Sequence, residues 1–110
     1  MNYLVTRHPG ALDWLKRHVQ HPYIHVTHLA DLSLIKWGDC VMGTLPLYLI
    51  AGICNRGARY FHLEVVLPDY LRGTELSAQQ LTEMDAALVE YSVLRHLPDD
   101  FILALDPCNF

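Results

Sequence analysis

The chain has 110 residues, of which 52% are hydrophobic and 18% charged, and its formal net charge is −4 with histidine neutral. This length gives one domain, residues 1–110, with a modest core, and the composition excludes a disordered chain. The acidic balance argues against long nucleic acid, which needs a broad basic face, but leaves room for a small anion held by a few local cations.

Asn2 to Thr6 reads as a first strand, broken by Pro9 and Gly10. From Gly10 to about Gln20, Ala11, Leu12, Trp14, Leu15 and Val19 fall at helical spacing, with Asp13, Lys16 and Arg17 on the opposite side. Asp13 in the first turn and Lys16, Arg17 and His18 later suit the helix dipole, and His21-Pro22 ends the helix. Tyr23 to His28, rich in aromatic and β-branched residues, is a second strand. Leu29 to Trp37 fits no single element; Asp31 is placed to cap one or two short helical turns, and Gly38-Asp39 is a turn. Cys40 to Gly43 is a short apolar strand of the kind buried in a parallel sheet.

Thr44 is then expected to cap a second helix with Pro46 in its first turn, running to about Asn55 and stopping at Gly57. This helix is apolar nearly all round, through Leu45, Leu47, Tyr48, Leu49, Ile50, Ala51, Ile53 and Cys54. A helix covering one sheet face should carry a polar stripe, so burial on two sides and a homodimer through this helix are expected. The high hydrophobic share points the same way. Arg59 to Leu67 is a fourth strand closed by Pro68, and Asp69 to Glu75 is a polar connection containing Arg72-Gly73. Ser77 caps a third helix with Gln80 in the reciprocal capping-box position. Its apolar stripe is Leu81, Met84, Leu88 and Tyr91, extending toward His96, and Phe101 to Leu105 reads as a fifth strand or a terminal arm.

Short apolar strands alternating with helices define an α/β, Rossmann-like three-layer fold with a mainly parallel sheet of four or five strands. No apolar run approaches the roughly 20 residues that span a bilayer, and no signal peptide is visible, so no membrane role is expected. Cys40, Cys54 and Cys108 lack metal-type spacing and read as free thiols in a reducing cytoplasm.

In open parallel sheets ligands sit beyond the carboxyl ends of the strands, where the winding reverses. A strand order of 2-1-3-4 puts that point between the first and third strands. Thr6-Arg7-His8 and Gly10 follow the first; Gly43-Thr44-Leu45 follow the third. Two helix starts and the Arg7 guanidinium then make one anion pocket, with Arg72 placed to lean over it. Each part also has an ordinary reading: the threonines as caps, the arginines as surface charges, His8 as a loop histidine. The clustering of these residues at two junctions of an acidic chain favours the pocket. His18, His21, His25 and His28 do not converge as metal ligands, because His25 and His28 point to opposite faces of a strand. Ser33, Ser77 and Ser92 lack a nucleophile elbow, and Asp99-Asp100 and Glu64 form no acid/base pair.

The strings YLVTRHPGALDWL, GDCVMGTLP, CNRGARYFHLEVVLP and RGTELS resemble the small Csx-type family numbered sixteen, a stand-alone accessory of type III CRISPR systems. The resemblance covers most of residues 3 to 78; the segment after about residue 92 carries no motif. It implies a dimeric, Rossmann-like protein related in architecture to the CARF domains that sense cyclic oligoadenylates. It also implies ring nuclease activity: cleavage of the cyclic tetra-adenylate second messenger that drives the antiviral response. The expected chemistry needs no metal or cofactor. The ribose 2′-hydroxyl attacks its adjacent phosphorus in line and leaves a 2′,3′-cyclic phosphate, while the protein holds the geometry and stabilises phosphoryl charge. His8 is the candidate acid or base, Arg7 stabilises charge, and Thr6 and Thr44 position hydroxyls or phosphate. The alternatives are a module that binds the cyclic nucleotide without cutting it, and a structural subunit that joins a larger complex through the apolar helix.

Overall fold

The structure, a computed structural model, describes residues 1–96. Four short strands run parallel: Asn2–Val5 (β1), Tyr23–Val26 (β2), Cys40–Gly43 (β3) and Arg59–Glu64 (β4). A fifth, Ala87–Tyr91 (β5), pairs antiparallel with β4, and the sheet order is β2-β1-β3-β4-β5. The helices are Pro9–His18 (α1), Leu47–Asn55 (α2) and Ala78–Glu83 (α3).

Alternation along the strands divides the core into two layers. Tyr3, Val5, Val41 and Tyr60 point to one face and pack with Ile50 and Ile53 of α2. Leu4, Met42 and Leu63 point to the other and pack with Trp14 and Leu15 of α1 and Ala78 and Leu81 of α3. The fold is therefore the expected three-layer α/β sandwich, with α2 alone on one face. Because β2 and β3 flank β1, and α1 and α2 lie on opposite faces, the winding reverses between β1 and β3.

Three local expectations are corrected. Thr44 does not cap the second helix: the cap position is Pro46, and the helix starts at Leu47. Leu45 precedes proline and is disfavoured from helical backbone, and its N–H bonds the Tyr60 hydroxyl instead. The third helix does not extend toward His96. It stops at Glu83, and Asp85 turns through a left-handed conformation (φ 57°) that feeds Ala87–Tyr91 into the sheet. The capping box of Ser77 and Gln80 forms as expected. Finally, α1 opens at Pro9, so Asp13 falls beyond its first turn, while Lys16, Arg17 and His18 close it as the dipole favours. Asp31 caps a single 3-10 turn, Leu32–Leu34. The strand or arm expected at Phe101 to Leu105 lies outside the described residues.

Candidate functional site

The carboxyl end of β1 is fixed by Thr6, which is buried and uses every polar group it has. Its N–H donates to the Val26 carbonyl at 3.1 Å, and its own carbonyl accepts from His25 Nε2 at 2.7 Å. Its hydroxyl oxygen accepts from the His8 N–H at 3.1 Å, a tight side-chain turn that ends the strand. Arg7 is thereby left exposed, and His8 takes the cap position of α1 without capping it. Among the described residues Arg7 has no ion-pair partner.

His8 Nδ1 lies 2.9 Å from Glu75 Oε1. A carboxylate can only accept, so it holds the proton on Nδ1 and leaves Nε2 as the free ring nitrogen. The two side chains are 53% and 68% exposed, so solvent and ligands reach the pair and its contribution to stability is small. Glu75 was not a sequence candidate, since nothing in the chain signals a carboxylate 67 positions from its histidine.

Gly10 has a packing function. A Cβ there would sit 1.6 Å from the Leu76 carbonyl oxygen, so α1 docks backbone to backbone against the lead-in to α3. At the end of β3, Gly43 pairs with Val5 on one side and His62 on the other. A Cβ on Gly43 would come within 2.3 Å of the Val5 carbonyl oxygen. With Val5 opposite Gly43, Thr6-Arg7-His8 and Thr44-Leu45 leave the sheet side by side, and their helices diverge to opposite faces. The two junctions thus start from neighbouring positions at the carboxyl edge. Thr44 is exposed there, whereas the Leu45 N–H is already bonded to the Tyr60 hydroxyl at 3.0 Å.

The connection from β4 to α3 ends at Glu75 against His8, so residues 65–75 cross the carboxyl edge from β4 back to β1. Arg72 rides on this connection. Its Nε lies 3.3 Å from Asp69 Oδ1, and both side chains are largely exposed. This pairing offsets part of its charge.

A second cluster was missed from the sequence. The buried Tyr60 hydroxyl donates to the Gly43 carbonyl at 2.9 Å, accepts from Leu45, and lies 2.7 Å from His62 Nδ1. Burial pushes the Tyr60 phenol up to about 12, so it stays protonated. The His62 ring meets Tyr91 edge-on at 6.0 Å, and the Tyr91 hydroxyl donates to Glu64. That hydrogen bond raises the Tyr91 phenol above its ordinary range. The available signal was the alternation Tyr60, His62, Glu64, which puts three polar side chains on one face of the strand. Among the described residues no group of three or more His, Cys, Asp or Glu converges as metal ligands do. The remaining histidine contact is local: His18 stacks on Trp14 at 3.8 Å and bonds its carbonyl.

These features define a doubly wound α/β protein whose two central strands end side by side at its topological switch point. The chain belongs to the family described as "Putative CRISPR-associated protein (Cas_VVA1548)", which matches residues 3–94. Comparison with curated proteins and with solved structures gives no match. Among the described residues no helix is long and apolar enough to cross a membrane.

Proposed function

We propose that this CRISPR-associated chain is a ring nuclease that binds and cleaves cyclic tetra-adenylate, the small Csx-type activity that its motifs resemble. The observation that supports the reading is the Val5–Gly43 register, from which the segments carrying Arg7 and His8 and carrying Thr44 leave the sheet side by side. A ribose-phosphate lying there meets one unpaired cation, the Thr44 hydroxyl and a histidine whose free nitrogen is set by a carboxylate. His8 Nε2 takes the proton of the 2′-hydroxyl, and the 2′-oxygen attacks phosphorus. The bond to the 5′-oxygen breaks, and that oxygen takes a proton from solvent. The products carry a 2′,3′-cyclic phosphate and a 5′-hydroxyl. Arg7 stabilises the charge on the phosphoryl oxygens, and the site holds the 2′-oxygen in line. No metal enters these steps.

A homodimer through α2 completes the proposal, since a two-fold messenger fits a site repeated about a two-fold axis. Leu47 and Tyr48, in the first turn of α2, are 71% and 67% exposed, the apolar surface such a contact would cover. One observation favours binding without cleavage: Thr6 and His8 Nδ1 are already engaged, leaving His8 Nε2 as the single base among the residues proposed to act. Incubating the protein with cyclic tetra-adenylate in EDTA and separating the products decides between them. Linear products with cyclic phosphate ends are expected. Intact, tightly bound ligand would select the binding module, and no binding would sink both readings.

A further inference from the structure

We propose that Tyr60 and His62 are positioning residues of the proposed site: the Tyr60 hydroxyl grips both peptide units that flank Thr44, and His62 fixes the direction of its proton. The inference rests on the ligand reading above for its functional meaning, but the clamp itself is a property of the free protein.

A phenolic hydroxyl has one proton to give and two lone pairs to receive. Here it has three partners within 3.0 Å. The Gly43 carbonyl can only accept, so it takes the proton; the Leu45 N–H can only donate, so it fills one lone pair. The contact with His62 is then satisfied only if Nδ1 carries hydrogen and donates to the remaining lone pair. Without that hydrogen, His62 and Gly43 would compete for one proton, and one of the two acceptors would lose it. His62 thus sets the hydroxyl toward Gly43.

The two backbone partners are not arbitrary. The Gly43 carbonyl belongs to the peptide before Thr44, and the Leu45 N–H to the peptide after it. One oxygen therefore fixes both planes around a residue that is itself exposed. Tyr60 is wholly buried, so it acts through Thr44 and touches no ligand. The high phenol pKa keeps the clamp protonated across the range in which proteins stay folded.

Three variants test this: Tyr60→Phe, His62→Ala, and His62→Asn, whose amide N–H can replace Nδ1–H. Amide hydrogen exchange of the free protein and affinity for cyclic tetra-adenylate are measured well below the unfolding temperature. In Tyr60→Phe, exchange at Leu45 should accelerate about tenfold or more, as for one lost hydrogen bond, and in His62→Ala, where the Leu45 bond persists but the phenol loses its third partner, by a smaller factor, with Val41 and Ile53 unchanged in both. Affinity should fall by a similar factor, and His62→Asn should restore both. Unchanged protection at Leu45 would overturn the clamp; faster exchange with unaltered affinity would overturn its positioning role. If Tyr60→Phe fails to fold, the two His62 variants decide. If the wild-type protein binds no cyclic tetra-adenylate, the proposed function falls, and Leu45 exchange alone still upholds or removes the clamp.

Discussion

At the scale of single residues, the proposed site divides into groups that would meet a ligand and groups that would hold them. Arg7 is proposed as the first kind. Arg7→Ala should weaken cyclic tetra-adenylate binding by about 1.5–3 kcal/mol, the value of a charge-assisted hydrogen bond, read by calorimetry. His8→Ala should lower the single-turnover cleavage rate more than it lowers affinity, and an unchanged rate would remove His8 from the chemistry. Glu75→Gln should slow cleavage less than His8→Ala, because the amide still engages Nδ1 but no longer stabilises a charged ring. The placement of Thr6, Arg7, His8 and Thr44 just beyond strand ends was legible in the sequence, because an apolar run and a breaker stand together at each junction. Glu75, Tyr60 and His62 were not, because each acquires its meaning from a partner that only the folded sheet supplies.

At the scale of elements, close backbone approach decides more than propensity. Gly10 lets α1 touch the chain at Leu76, and Gly10→Ala would force a Cβ into a backbone oxygen that cannot rotate away. Overpacking of this kind costs about 1–3 kcal/mol or more, and thermal unfolding should show it as a lowered midpoint. The β4–β5 pair carries its own pH dependence. Arg59 Nε donates to Glu90 Oε2 at 2.7 Å and Nη2 to Oε1 at 2.8 Å, and this bonding holds the Glu90 carboxyl below the ordinary glutamate range. A lowered folded-state pKa contributes stability that is present above the unfolded value and is lost as pH falls through the folded one. The protection of β5 amides should therefore fall in acid more steeply in the wild type than in Glu90→Gln. The strands β1 and β3 were readable from short apolar runs between breakers. The path of residues 84–91 was not: Leu81, Met84, Leu88 and Tyr91 satisfy helical spacing, while Ala87–Tyr91, apolar at four of five positions, suits a short strand equally well. The open edge of β4 settles the choice, because its unpaired backbone groups are satisfied by a strand and not by a helix. The start of α2 was misplaced for a related reason, since the Tyr60 hydroxyl takes the Leu45 N–H from another strand.

At the scale of the whole molecule, the 2-1-3-4 order assumed for a doubly wound sheet is the one observed, and among the described residues the antiparallel β5 adds to it. The proposed dimer is tested at this scale. Sedimentation equilibrium should give twice the chain mass at micromolar concentration, and Leu47→Asp with Tyr48→Asp should give a folded monomer. A wild-type monomer at every concentration would remove the two-fold arrangement, but not the proposed site in each copy.

The Val5–Gly43 register has one more consequence. The two lips of the proposed site come from chain segments separated by α1, β2 and the 3-10 turn, and they meet only when β1 and β3 have paired. A fragment carrying either lip has no site, and neither has a partly folded chain in which the central strands are apart. Any ligand spanning the lips acts as a reversible crosslink between those remote segments. It tightens the least local contact of the sheet and favours the fully assembled protein over every intermediate form.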